Sequence, residues 1–292
     1  MNILIIGSSA AGISAASVIR EQNKDCSITI VCEEDRLSYY RYRILECLLD
    51  GKKCSELYFK NNDFFKSNNI ELILNKVAVG LDTRRKRVKL NDDTYLGFDK
   101  LLIATGASFK LPEIKGANKK NVISLRKMSD VEAFQSAQAI AKSIFLVGEE
   151  LFLSKLALRF ASPDTEIFLL TKNSEILSVL SETEKIRFIN DDAIVEIIGE
   201  GEVQAVKLAS GKVFACSLLV FTGLCEPNFK FVKDSPIEID EGILVDEFMA
   251  TSVPGIFAAG DVARIKNEPS FNFSWQRAES QGHIAGVNMI KE

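Results

Sequence analysis

Short runs of apolar residues, each closed by small or polar residues, alternate along this chain with segments of helical period. Residues 3–6 read as a buried strand, 11–20 as a helix and 27–32 as a second strand. That order predicts a βαβ unit, and therefore a parallel sheet with helices on its faces. Between 70 and 90 shorter strands flank a polar turn, and 100–104 returns as a buried strand, so a β-meander is expected beside the sheet.

The same grammar then starts again. Residues 110–116, Lys-Leu-Pro-Glu-Ile-Lys-Gly, have the chemistry of an extended linker. A strand at 143–147, a helix at about 151–160 and a strand at 166–170 follow, then short strands at 193–198, 203–208 and 218–221. A last strand at 255–259 and a helix from about 277 to 289 end the pattern. Two βαβ-plus-meander halves are expected, the second inserted into the first.

Composition narrows the class without naming the chemistry. With 292 residues, 47% of them apolar, the chain is long enough for about two domains. The net charge of −4 argues against broad nucleic-acid binding, which needs a clustered basic surface. No apolar run reaches the roughly 18 residues of a membrane span, and the first strand follows Met1-Asn2 directly, so a cytoplasmic protein is expected.

Six cysteines are scattered without a CxxC pair or metal-ligand spacing, and neither Cys47 nor Cys54 lies in a motif that activates a thiolate. Thiol chemistry and a metal site are not expected. The single histidine, His283, excludes a Ser-His-Asp arrangement and reads as structural.

The candidate chemistry lies in the turns. Ile3-Leu4-Ile5-Ile6-Gly7-Ser8-Ser9-Ala10-Ala11-Gly12 is a strand, a small-residue turn and a helix start, the form in which backbone N–H groups grip a pyrophosphate. Glu33 ends the next strand about 20 residues on, where a carboxylate can bind adenosine ribose hydroxyls. Ser9 stands in the middle glycine position and adds only a small side chain.

With Gly7–Glu33, two later stretches complete a pattern: Leu101-Leu102-Ile103-Ala104-Thr105-Gly106-Ala107, and the run from Thr251 through Gly255, Gly260 and Asp261 to Val262. Together they resemble the FAD signatures of the flavoprotein pyridine nucleotide-disulfide oxidoreductase superfamily. Through Leu37-Ser38-Tyr39-Tyr40-Arg41-Tyr42-Arg43 the likeness is nearest to rubredoxin reductases and to the N-terminal part of nitrite reductase large subunits.

The resemblance implies an α/β fold of two Rossmann-like three-layer domains, the second inserted in the first. Residues 1–108 and 226–292 would bind FAD, and 109–225 would form the NAD(P)-binding-like domain. It also implies that Gly7, Ser9, Ala10, Ala11, Gly12 and Glu33 hold the dinucleotide and that Val77 meets adenine through its backbone. Ala104, Thr105 and Gly106 would pass beneath the dinucleotide, Gly260 and Asp261 would meet the ribitol and first phosphate, Arg41 would lie beside phosphate or flavin, and Trp275 would pack near the ring.

In relatives a C-terminal domain builds the dimer and shields the flavin; the likeness here stops short of it, so an edge open or covered by a partner is expected, with the oligomeric state unassigned.

The second turn departs from the pattern. Ser143-Ile144-Phe145-Leu146-Val147-Gly148 continues Glu149-Glu150-Leu151-Phe152-Leu153, so Glu150 and Leu153 replace the second and third glycines. A carboxylate about 4 Å from a phosphate costs about 4 kcal/mol at an effective dielectric near 20, roughly a thousandfold in affinity. The strand ending Leu170-Thr171-Lys172 lacks an acidic ribose ligand, and 177–193 reads as shortened by a helix. Loss of tight NAD(P)H binding is expected.

Relatives also pair a lysine and a glutamate near the flavin edge; here the same positions carry Glu46 and Lys155, candidates for a pair with exchanged signs. The basic run 83–89 reads as a solvated turn that could also steer an acidic carrier of rubredoxin or flavodoxin type. The leading expectation is an FAD-dependent oxidoreductase exchanging electrons with a protein partner. An NAD(P)H-dependent flavin reductase and a non-catalytic FAD-binding regulatory subunit stay open beside it.

Overall fold

A computed structural model describes residues 1–110, 112–180, 185–223, 225–266, 268 and 273–291. The chain forms two compact units. The first comprises 1–40, 57–108 and 226–292; the second comprises 41–56 and 109–225. Residues 41–56, expected with the first domain, belong instead to the second. Their partners decide this: the Arg41 guanidinium donates to the Arg126 carbonyl at 3.2 Å, and the Gln135 amide donates to the Cys47 carbonyl at 3.3 Å.

The first unit is built on a five-stranded parallel sheet in the order 256–258, 100–103, 2–6, 27–31 and 70–73. Ile3, Leu4, Ile5 and Ile6 are all buried, which is why the strand Asn2–Ile6 shows no polar alternation. Each such side chain contributes roughly 1.5–3 kcal/mol. The expected meander is present as antiparallel strands Ala78–Asp82, Arg87–Leu90 and Tyr95–Gly97.

Two helices, Ala10–Gln22 and Trp275–Lys291, lie against one another through small residues. A Cβ added at Gly282 would stand 2.1 Å from the Ala11 carbonyl oxygen, and one at Gly286 2.4 Å from Val18 Cγ1. The backbones therefore meet at a distance that only glycine permits. Below them Arg20 is buried, and its guanidinium donates to the carbonyls of Asn68, Asn23, Lys24, Cys26 and Asn69 at 2.7–3.2 Å, tying the helix end to the loops beneath the sheet.

The second unit repeats the plan. Its parallel sheet runs 186–189, 166–170, 143–147, 218–221 and 122–124, and its meander comprises Ile194–Ile198, Ala205–Leu208 and Val213–Ala215. The stretch read as shortened holds a helix, Ser174–Leu180, and an edge strand, Ile186–Ile189. Residues 181–184 between them lie outside the described residues. The expected linker 110–116 is described except at 111, and Lys115 pairs there with Glu196 at 2.6 Å.

Candidate dinucleotide site and its degenerate counterpart

The first turn leaves the strand at Gly7, whose φ of +117° a side chain would strain. Its N–H donates to the Val31 carbonyl at 2.8 Å, and a Cβ there would meet the Ala104 carbonyl oxygen at 2.1 Å. The helix begins three residues later, at Ala10. It starts tightly because Gly12 lets it sit on the turn: a Cβ at Gly12 would stand 1.9 Å from the Gly7 carbonyl oxygen.

Ser9, at the cap position, makes no side-chain bond to the helix, so the first-turn N–H groups keep their positive end for an incoming anion. Ser8 is turned inward, its hydroxyl donating to Cys32 Sγ at 2.9 Å. Glu33 lies exposed just past the end of the neighbouring strand Ser27–Val31.

Three further elements of the same unit frame this turn. Ala104-Thr105-Gly106 bends after the strand Lys100–Ile103, with Gly106 at φ +65°. Asn228 pins the bend: its side chain donates to the Thr105 carbonyl at 3.0 Å, and its own carbonyl accepts the Thr105 hydroxyl at 2.7 Å. Gly260 follows the strand Ile256–Ala258, and its N–H donates to the buried Gln281 side chain at 2.8 Å. A crevice beside it is lined by Gly260, Asp261, Arg264, Phe273, Arg277 and Gln281.

The residues of this unit fit a dinucleotide. Gly7 and Gly12 let strand, turn and helix close on one another, and the helix start carries no side-chain cap, so its first-turn N–H groups can take the pyrophosphate. Neither Asn228 nor Gln281 is legible as a site residue beforehand, since each is identified by a long-range bond and by no spacing.

Other expected site residues have different surroundings. Val77 is partly exposed, and its backbone is engaged with Asn91, whose side chain accepts the Val77 N–H at 3.2 Å and whose N–H donates to the Val77 carbonyl at 2.9 Å. An adenine accepting from that N–H has to displace Asn91. Trp275 opens the last helix and joins an aromatic cluster, 5.5 Å from Tyr40 and 5.4 Å from Phe59 between ring centroids. Phe271 and Asn272, just before it, lie outside the described residues. Arg41 sits in the second unit on the Arg126 carbonyl.

Glu46 does not meet Lys155 among the described residues. Arg43 holds its carboxylate at 2.7 and 2.9 Å and Lys52 at 2.5 Å, which draws its pKa down to about 2, while Lys155 is exposed on the helix Phe152–Phe160. Two cations close in sequence outcompete one more distant lysine. In the basic run, Arg84, Arg85 and Lys86 are exposed at the hairpin turn, and Asp82 faces Arg85 and Arg87 at 3.9 and 3.5 Å.

In the second unit the turn that corresponds to the first is filled by its own side chains. Gly148 keeps the glycine conformation, with φ +150°, but the helix starts one residue later relative to it, at Phe152. Leu153, in the place of Gly12, is fully buried. The Glu150 carboxylate accepts the Thr222 hydroxyl in a short bond and lies over Gly148 and Gly223. The Glu149 carboxylate accepts the Lys172 N–H at 2.9 and 3.0 Å and the Thr171 hydroxyl at 3.1 Å, and the Glu149 carbonyl accepts the Asn173 side chain at 2.6 Å. Donors at the ends of two strands are thus satisfied internally.

Fold and turns together define a two-dinucleotide-domain α/β protein. The chain belongs to the pyridine nucleotide-disulphide oxidoreductase family, whose model matches residues 1–282. It is 29% identical to apoptosis-inducing factor 3 of Mus musculus over all of this chain and 51% of that protein. It is 27% identical to NADH-rubredoxin oxidoreductase of Clostridium acetobutylicum over 99% of this chain and 75% of that protein. A crystal structure of a ferredoxin reductase from Rhodopseudomonas palustris superposes with a TM-score of 0.87 at 24% identity, covering 99% of this chain and 76% of that one. The chain spans about half the length of the first curated relatives it matches.

Proposed function

We propose that this chain is an FAD-dependent oxidoreductase that exchanges electrons with a small carrier protein, and that its second dinucleotide fold no longer holds NAD(P)H tightly. The first turn carries the reading: Gly7 and Gly12 sit where a single added carbon would strike backbone, and the helix start they create has no side-chain cap. FAD bound there supplies the hydride or electron transfer, and the protein supplies binding and orientation. Gly7 to Gly12 present N–H groups to the pyrophosphate, Glu33 offers a ribose acceptor, and Gln281 fixes the Gly260 backbone beside Asp261. No side-chain acid or base is required for that transfer.

Relatives named for rubredoxin and ferredoxin transfer support a protein partner of that size, and the exposed Arg84, Arg85 and Lys86 favour an acidic one. A second reading, reduction by NAD(P)H, is favoured by the intact five-stranded sheet around Gly148 and by the relatives' NADH-linked names. Glu149 and Glu150 weigh against it.

The experiment is anaerobic mixing of flavin-loaded protein with NADH, then NADPH, followed through the visible flavin band. The band is expected to persist with either nucleotide and to bleach with dithionite, returning when oxidised rubredoxin or flavodoxin is added. Protein that stays colourless with added FAD overturns the flavin reading, and rapid bleaching by NADH moves the assignment to the second.

A further inference from the structure

The turn at Gly7 is fastened to the end of the neighbouring strand at two successive points, and side chains make the second. The Gly7 N–H donates to the Val31 carbonyl at 2.8 Å; one residue on, the Ser8 hydroxyl donates to Cys32 Sγ at 2.9 Å, and both residues are buried. One such bond is a hinge, whereas two in succession fix the angle between the turn and the corner that begins at Glu33. Backbone holds the far side of that corner: the Cys32 N–H donates to the Ile73 carbonyl at 2.8 Å, the Lys76 N–H to the Cys32 carbonyl at 3.0 Å, and the Asn75 N–H to the Glu34 carbonyl at 3.1 Å. Cys32 therefore bears both the Gly7 turn and the end of the edge strand Ile70–Ile73, one position before the exposed Glu33.

The second unit shows what a longer side chain does at the same place. The Gly148 N–H donates to the Leu170 carbonyl at 3.2 Å as Gly7 does to Val31, so Glu149 stands where Ser8 does and Thr171 where Cys32 does. These side chains meet as well, the Thr171 hydroxyl donating to Glu149 at 3.1 Å, but the carboxylate goes on to accept the Lys172 N–H at 2.9 and 3.0 Å, at the position of Glu33. Glu149 thus covers its corner. Ser8 ends at Cys32, and fastens its corner without covering it.

We propose that Ser8 and Cys32 are positioning residues for the adenosine half of the cofactor: their hydrogen bond sets the distance between the N–H groups of the first turn and the Glu33 carboxylate, and so brings the ribose hydroxyls within reach. This role rests on the flavin reading and adds to it two residues that act through Glu33. Without the Ser8 hydroxyl the backbone bond at Gly7 is left to swing. The ribose contact then weakens, while the pyrophosphate contacts, made by the turn itself, persist.

The test titrates the full chain, freed of flavin, with FAD and with the analogue whose adenosine lacks the ribose 2′-hydroxyl, followed by flavin fluorescence. Wild-type protein is expected to hold the analogue about tenfold more weakly than FAD, the worth of a hydrogen bond to a charged acceptor. Ser8→Ala and Cys32→Ala are expected to narrow that ratio to about threefold or less by losing affinity for FAD. Cys32→Ser, which keeps an acceptor for the Ser8 hydroxyl, is expected to retain the wild-type ratio. Alanine variants that weaken both flavins alike and leave the ratio unchanged overturn the proposal, because a merely structural pair would do the same. Wild-type protein that binds FAD but does not distinguish the two also overturns it, and that result needs no variant to fold. Protein that takes up neither flavin overturns the cofactor reading itself, so the two failures are told apart.

Discussion

The turns at Gly7 and Gly148 begin alike and end as opposites. Each leaves the central strand of a five-stranded parallel sheet through a glycine at positive φ. At the first, Gly12 lets the helix start on the third residue, and the space at its mouth is bounded by backbone. At the second, Leu153 stands in that place, the helix starts on the fourth residue, and two carboxylates occupy the mouth. The lesson is that turns built on one plan can differ in what fills them: the second turn's own carboxylates accept from donors at the neighbouring strand ends, while the first leaves its helix start uncapped. Glu149 closes on the exposed Lys172 N–H and Glu150 on the part-buried Thr222 hydroxyl, so the two carboxylates tie the turn to the neighbouring strand ends.

The largest expected effect comes from one substitution made at both glycines. Gly7→Ala puts a methyl 2.1 Å from the Ala104 carbonyl, against backbone that a sheet strand holds in place, and at an unfavourable φ. It is expected to destabilise the first unit by about 3 kcal/mol or more and to abolish flavin retention. Gly148→Ala is also strained, but its nearest neighbour, at 1.9 Å, is the Thr222 hydroxyl, which can rotate. About 1–2 kcal/mol is expected there, with flavin retained. Thermal unfolding with and without added FAD reads both; equal losses would mean that the two turns are mechanically alike.

Next in size is the release of the second turn from its own carboxylates. Glu149→Ala with Glu150→Gly removes both charges and restores the middle glycine, and NADH affinity measured by titration calorimetry is expected to rise at least about tenfold. The gain stays below the roughly thousandfold of even one fixed charge because Leu153 still sets the helix back. A double variant that binds NADH no better than the parent would place the obstacle in Leu153 and the helix start.

How much of this was legible differs between the units for physical reasons. Parallel strands buried on both faces write continuous apolar runs, so 3–6, 143–147 and 166–170 stand out, and glycine spacing marks the first turn. The strand Ile186–Ile189 does not stand out, since Arg187 breaks its run and pairs across to Glu166 at 2.7 Å. Membership of 41–56 in the second unit rests on two side-chain bonds to carbonyls about 85 residues away, which no local pattern encodes. The glutamates at 149 and 150 are visible as obstacles, but their partners Thr222 and Lys172 are set by strand register alone.

The smallest effect concerns a third carboxylate of the second unit, held by cations where Glu149 and Glu150 are held by hydroxyl and amide donors. Hydrogen bonds from Arg43 and Lys52 lower the Glu46 pKa from 4.5 to about 2. A carboxylate whose folded pKa is depressed adds stability that is complete above the unfolded value and fades as pH falls towards the folded one. Wild-type protein should therefore keep its advantage over Glu46→Gln down to pH 4.5 and lose it between there and about 2. At neutral pH the two should unfold at nearly the same temperature, because solvent screens such ion pairs. Carbon-detected NMR titration of the Glu46 carboxyl gives the direct reading: a midpoint near 2 fits the cluster, and one near 4.5 means that Arg43 and Lys52 do not hold Glu46 in solution.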